Sequence, residues 1–186
     1  MIDFIGTDLY VAPIVSPVVA DIAACAANNV SNPYYPQCVS TTEITANGWN
    51  EGYHEEYIVY TASVYVRTQL NYLWNTYRMP LVITEFGFST AASHASAALN
   101  DIQFDVLRSE HYLSFLAEVL KSIWEDGVHV TGAFMWSSVD NWEWGTFSHQ
   151  FGLQHLNRTT QQRVYKRSIF DVVDFVEARM TNSSEC

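Results

Sequence analysis

The chain has 186 residues, with 9 Lys+Arg against 20 Asp+Glu and a formal charge of −11. It has no basic stripe to displace counterions, which argues against nucleic acid and anionic membranes as partners. Hydrophobic residues make up 48%, enough for a packed core, so disorder is excluded and the length suits one domain, two at most.

The stretch Phe4 to Ala27 is apolar but is interrupted by Asp8, Pro13, Pro17 and Asp21, and no basic flank precedes it. It therefore reads neither as a signal peptide nor as a membrane span. Within it, Phe4 to Tyr10 reads as a short buried strand. A Pro/Asn-rich loop follows to about Asn50. Cys25 and Cys38 bracket part of that loop and could close it as a disulfide, with Cys186 as the odd thiol.

A helix is expected from about Glu55 to Tyr77, with Tyr57, Val64, Leu70, Leu73 and Trp74 on its apolar side, and Pro80 ends that segment. Leu81 to Glu85 reads as a second strand running into a carboxylate. Ser89 to Ala98 is a loop or the start of the next helix. That helix is expected from about Asp105 to Glu125, with Leu113, Leu116, Leu120 and Ile123 as one apolar stripe and Gly127 as its C-cap. Val128 to Trp136 is a third buried strand, and a last helix is expected from Lys166 to Arg179. Residues 181–186 form a tail expected to fray.

Strand, helix, strand, helix, strand, helix is the pattern of parallel strands covered by crossover helices. In such α/β folds functional residues sit at the carboxyl ends of strands. Here those ends carry Asp8 and Tyr10, then Glu85, then the run Trp136 to Trp144, which holds Asp140, Asn141, Trp142 and Glu143. Carboxylates interleaved with Trp and Tyr suit a sugar: acids grip hydroxyls and ring faces stack on C–H surfaces. Glycoside hydrolysis typically needs two carboxyl groups, and composition alone pairs Glu85 with Glu143. Each residue also has a structural reading. Glu85 could be an ion-paired strand end, Asp140 and Asn141 a turn cap, and Trp142 and Trp144 core residues. The six His show no ligand spacing, so no metal or cofactor is expected, and neither G-x-G-x-x-G nor G-x-S-x-G occurs.

Taken together, the strand ends resemble glycoside hydrolase family 1, the β-glucosidase family. Asp3 to Tyr10 (DFIGTDLY) is similar to its D-F-I-G-x-N-Y-Y segment, and Pro80 to Gly87 (PLVITEFG) resembles its I-T-E-N-G strand seven. Trp136 to Trp144 (WSSVDNWEW) resembles its W-S-L-x-D-N-F-E-W strand eight, followed by F-G-L at Phe151 to Leu153. Gly48-Trp49 and Tyr165-Lys166 also fit, so the resemblance spans nearly the whole chain.

The resemblance implies the C-terminal portion of a TIM (β/α)8 barrel, about strands six to eight with their helices and a loop insertion around residues 13–50. It makes Glu85 the nucleophile of a retaining β-glycosidase and Tyr10 the residue that orients it. Trp136, Glu143, Trp144 and Phe151 become glycone contacts. Asp8 stands where the family has Asn, adding negative charge beside Glu85, and Phe86 replaces the Asn after the nucleophile. The acid/base Glu of the family motif T-x-N-E-P has no counterpart. Glu51, in Trp49-Asn50-Glu51-Gly52, aligns instead with the loop before the helix.

Three expectations follow: a fragment that needs an N-terminal barrel half, on the same precursor or a separate chain; a non-catalytic carbohydrate-binding remnant; or a truncated product with no independent activity. Without that half, self-association is expected. Sequons at Asn29, Asn157 and Asn182, with the Cys25/Cys38 loop, suggest a secretory protein whose signal would lie upstream.

Overall fold

The computed structural model describes residues 2–11, 13–42, 44–48, 52–53, 63–90 and 97–180. It divides into two compact units, residues 12–51 and the remainder. Glu51, Trp49, Tyr57, Cys186, the Asn182 sequon and the tail 181–186 lie outside the described residues.

The larger unit is built on a three-stranded parallel sheet, order β1–β4–β5, made of β1 (Ile5–Asp8), β4 (Leu81–Phe86) and β5 (Val130–Met135). The sheet is open and no closed barrel is present among the described residues. The central strand β4 buries Leu81, Ile83 and Phe86, so its apolar run pairs on both edges as expected of a parallel core strand. A register slip between Thr7 and Asp8 sets Asp8 opposite Glu85 rather than Thr84. That irregularity aligns two carboxylates at the exit of the sheet.

Helices α2 (Val64–Tyr77), α4 (Val106–Trp124) and α5 (Arg167–Met180) pack in sequence, α2 on α4 and α4 on α5. The short α3 (Leu99–Gln103) precedes α4. Arg78 closes α2 in the left-handed conformation (φ 52°) just before Pro80. Beneath the sheet, Phe86 stacks on Phe115 with ring centres 4.2 Å apart and meets Tyr112 edge-on at 5.5 Å. Leu70, Val66, Val119, Leu153 and Val172 complete this core.

Two sequence expectations are corrected here. The buried line of α4 is not Leu113–Leu116–Leu120–Ile123 but Arg108–Tyr112–Phe115–Val119–Ser122, with the leucines only partly buried. The polar members of that line are buried because hydrogen bonds satisfy them, which side-chain apolarity cannot register. On α2, Val66 and Leu70 are buried, whereas Val64 is 57% exposed.

The described residues between 13 and 48 hold regular elements where a loop was expected. β2 (Ile14–Pro17) and β3 (Val39–Thr42) form an antiparallel ladder, and the Ala-rich α1 (Ile22–Asn28) lies between them in sequence. Asp21 caps α1 by accepting the Ala24 amide at 2.8 Å. The Cys25–Cys38 disulfide ties the middle of α1 to the residue before β3, with Cα atoms 6.1 Å apart. A hairpin, β6 (Gln154–Leu156) with β7 (Arg163–Tyr165), is also absent from the sequence expectations. Its turn is held by Asn157, whose Oδ1 accepts the Thr159 and Thr160 amides at 3.0 Å each.

Candidate active site

At the carboxyl end of the parallel sheet is a cleft of about 560 Å³ lined by Asp8, Tyr10, Glu85, Trp136, Trp142, Glu143, Trp144 and Phe151. The strands explain why these residues meet. β1 delivers Asp8 and then Tyr10, β4 delivers Glu85, and β5 runs directly into Trp136. The residues to which the resemblance gives a site role all line this cleft, as does Trp142 of the run Trp136 to Trp144, whereas Asp140 and Asn141 of that run do not.

Glu85 is held from one side. Tyr10 Oη donates to its Oε2 at 3.1 Å. Burial, and then the Glu85 charge, push the Tyr10 phenol far above its ordinary value, so the hydroxyl keeps its proton. The Tyr10 backbone is itself tethered, since Tyr65 Oη donates to the carbonyls of Leu9 (3.4 Å) and Tyr10 (3.3 Å). Thr84 Oγ1 donates to Asp8 Oδ1 at 2.5 Å, anchoring the second carboxylate. Thr84 carried no sequence signal, being one of several β-branched strand residues.

The opposite wall follows β5. Trp136 Nε1 donates to Glu143 Oε1 at 2.7 Å, so indole and carboxylate act as one unit. The buried phenol of Tyr112 holds the Trp136 carbonyl at 3.0 Å. Burial raises the Glu143 pKa above its ordinary value and the nearby Glu85 charge adds to this, while the Trp136 N–H acts in the other direction. Glu143 and Thr146 close a tight turn through reciprocal backbone bonds of 2.8 and 3.0 Å. Its central residues, Trp144 (φ 46°) and Gly145 (φ 100°), are both left-handed, the geometry of a type I′ turn. Gly accepts that conformation freely, but a tryptophan does not. The strained turn leaves the Trp144 ring 90% exposed over the cleft. Trp142, 57% exposed, meets Phe147 edge-on at 4.6 Å, and Arg158 lies 3.4 Å from the centre of the Phe147 ring.

Two glycines permit the walls to close. A Cβ on Gly87 would stand 2.0 Å from the Trp136 carbonyl oxygen, and one on Gly152 would stand 2.1 Å from the Asp140 amide nitrogen. Below the turn, Asp140 is buried rather than a simple cap. Its Oδ1 accepts the Gly152 amide at 2.9 Å and Lys166 Nζ at 2.8 Å, while His155 Nδ1 stands 3.4 Å from Oδ2. Phe151, 3% exposed, packs with Phe88, Tyr10, Leu107 and Trp136 as a small second core.

Among the described residues no group of His, Cys, Asp and Glu could hold a metal ion, and no helix is long and apolar enough to cross a membrane. Asn29 and Asn157 are both exposed.

Comparison with known proteins agrees with this geometry. Residues 1–179 match the pattern of glycosyl hydrolase family 1. Beta-glucosidase 1B of Phanerodontia chrysosporium is 37% identical over 103 residues, which cover 55% of this chain and 19% of that protein. A putative beta-glucosidase 15 of Oryza sativa subsp. japonica is 30% identical over 178 residues, covering 94% of this chain and 47% of that protein. The chain thus spans about half the length, or less, of these relatives. Among solved structures, a family 1 β-glucosidase of Humicola insolens in complex with glucose superposes with a TM-score of 0.82 at 21% identity, over 95% of this chain and 36% of that one. Rice Os3BGlu6 β-glucosidase superposes with a TM-score of 0.75 at 26% identity, over 90% of this chain and 35% of that one. These neighbours are TIM-barrel enzymes matched over part of their length, in keeping with an open sheet that is one portion of a barrel. With the match running from the first strand into the last helix, the chain belongs to glycosyl hydrolase family 1.

Proposed function

We propose that this chain carries the nucleophile side of a retaining β-glycosidase site, as strands six to eight of a (β/α)8 barrel. The observation that supports this best is the cleft itself: Glu85 with its Tyr10 donor on one wall, and the Trp136–Glu143 pair with an exposed Trp144 on the other. In this reading the Glu85 carboxylate attacks the anomeric carbon and the aglycone oxygen leaves, giving a glycosyl ester that water later cleaves. Tyr10 fixes the attacking carboxylate by occupying Oε2. Glu143, oriented by the Trp136 N–H, holds glycone hydroxyls, Trp136 and Trp144 present ring faces to the sugar, and Phe151 closes the pocket floor. Asp8 contributes a third carboxylate to the wall. With acids and no Lys, Arg or His among the described lining residues, the site favours a neutral sugar over a phosphorylated one.

The proton donor for the leaving group comes from outside this chain's motifs, since no T-x-N-E-P occurs in the sequence. Loss of a general acid slows such chemistry by roughly 10²–10⁴. Activity on ordinary glycosides therefore requires a partner: the N-terminal part of the barrel, on the same or a separate chain. Among the described residues β1 and β5 are edge strands, and these edges with exposed Ile2, Phe4 and Phe134 favour such a partner or self-association. The alternative is a sugar-binding remnant, which the intact Trp136–Glu143 pair also supports. The Cys25–Cys38 disulfide and the exposed sequons at Asn29 and Asn157 favour a secretory protein.

Titration with glucose, followed by tryptophan fluorescence, tests the sugar site. Saturable binding that is abolished by Glu143→Ala is expected. A folded chain that takes up no glucose would overturn the reading.

A further inference from the structure

One buried cation lies behind the cleft and lines none of it. Arg108, at the start of α4, is fully buried, yet its guanidinium reaches three separate segments. Nε donates to the Phe88 carbonyl at 3.1 Å, and Nη1 to Asp105 Oδ2 at 2.5 Å. Nη2 donates to Thr90 Oγ1 at 3.3 Å and to the Gln150 carbonyl. Phe88 and Thr90 lie on the chain leaving β4, just past Glu85. Gln150 lies on the return of the loop that carries Glu143 and Trp144, immediately before Phe151. The two loops touch in an antiparallel bridge, with Thr90 N donating to Gln150 O at 3.2 Å and Gln150 N to Thr90 O at 3.3 Å.

The residue type follows from the task. Only a planar guanidinium presents enough fixed donors to span two carbonyls, a hydroxyl and a carboxylate at once. A buried cation is tolerated when it is paired and hydrogen-bonded. Asp105 supplies the countercharge, and its carboxylate also accepts Ser168 N (2.9 Å) and Ser168 Oγ (2.7 Å) at the start of α5. The network is closed on the helix side, so it can act as a fixed post for the two loops.

We infer that Arg108 is a positioning residue: it clamps the loop leaving the Glu85 strand against the loop bearing Glu143 and Phe151, and so sets the width of the cleft. Its consequence for sugar rests on the proposed glycosidase site, whereas the clamp itself can be read without sugar. Lysine at this position keeps the charge beside Asp105 but cannot span both carbonyls.

The test compares wild type with Arg108→Lys by residue-resolved hydrogen exchange, and by glucose titration well below the melting temperature. Thr90→Val, which removes one anchoring hydroxyl and leaves the buried Arg108–Asp105 pair in place, serves as the milder second variant. Exchange at the Thr90 and Gln150 amides should rise by roughly tenfold or more in Arg108→Lys and by less in Thr90→Val, with Ile83 and Phe115 unaffected. Glucose affinity should fall by about tenfold in Arg108→Lys. Exchange that is unchanged, or raised uniformly through the core, would overturn the clamp, as would unaltered glucose affinity in a variant with a loosened bridge. If the wild type binds no glucose while the local exchange response appears, the sugar reading fails and the clamp stands.

Discussion

The phenol of Tyr10 donates a 3.1 Å hydrogen bond to Oε2 of Glu85, joining the exits of two parallel strands. Burial, and then the Glu85 charge, push that phenol far above its ordinary value, so it is a donor at neutral pH. Tyr10→Phe preserves the ring, including its edge-on contact with Phe151 at 6.0 Å, and deletes only the donor. A hydrogen bond to a charged group contributes about 1.5–3 kcal/mol. The rate of attack by Glu85 on an activated glucoside should fall roughly 10- to 100-fold, with little change in glucose affinity. Equal losses in both would assign Tyr10 to sugar binding instead.

Glu143 sits at a cost. Its pKa is raised above the ordinary 4.5, first by burial, so the folded chain binds this proton more tightly than the unfolded chain. Stability therefore falls as pH rises from about 4.5 through the folded value. Glu143→Gln keeps an acceptor for the Trp136 indole and removes the charge. Thermal unfolding should show the variant gaining on wild type between pH 4 and pH 7. Its glucose affinity should drop roughly 10- to 100-fold, the value of one charge-assisted hydrogen bond. A variant that loses ground over that pH range would show that the carboxylate is stabilised in place.

Trp144 illustrates strain kept for a task. Its left-handed backbone (φ 46°) and 90% exposed ring mean that the side chain does little for the fold. Left-handed conformations cost about 1–3 kcal/mol for such residues. Trp144→Gly should leave the melting temperature unchanged or raise it by a few degrees, while weakening glucose about tenfold through the lost stacking. A clear fall in melting temperature would contradict the strained-turn account.

Lys166 is fully buried against Asp140, and burial, followed by the Arg108 charge, lowers its pKa from 10.5 to about 7, against the pull of Asp140. Between those two values the unfolded chain holds more protons than the folded one. The lysine's contribution to stability therefore grows as pH rises through that window. Lys166→Met removes this slope and strands the Asp140 carboxylate, at a cost of about 3–5 kcal/mol. Urea denaturation at pH 7 and pH 9 should show the gap between wild type and variant widening. A constant gap would refute the assigned ionisation.

The cleft was largely legible in the sequence, for a physical reason. Parallel strands are apolar runs, so the first polar residues after each run mark the sheet's functional end: Tyr10 after Ile5–Asp8, Glu85 within Leu81–Phe86, Trp136 after Val130–Met135. Trp142 was less legible, because a tryptophan packed on Phe147 and one lining a cleft carry the same pattern until the turn geometry is known. The buried side of α4 is not read from apolarity because Arg108 is interior by virtue of partners distant in sequence, Phe88, Thr90 and Gln150. The short antiparallel pairs β2–β3 and β6–β7, and α1, escaped because each element is too short for periodicity to register. α1 carries the Asp21 cap, and the Cys25–Cys38 bridge ties its middle to the residue before β3.

Trapping the covalent intermediate tests the central claim most directly. A 2-deoxy-2-fluoro β-glucoside with a dinitrophenolate leaving group needs no proton from a general acid, so Glu85 can form the ester with the residues of this chain. Mass spectrometry of the digested protein should find one glycosyl group on the peptide containing Glu85, absent in Glu85→Gln and slower to form in Tyr10→Phe. A folded, glucose-binding chain that forms no adduct, or one labelled at Glu143 or Asp8, would contradict the assignment of Glu85 as nucleophile.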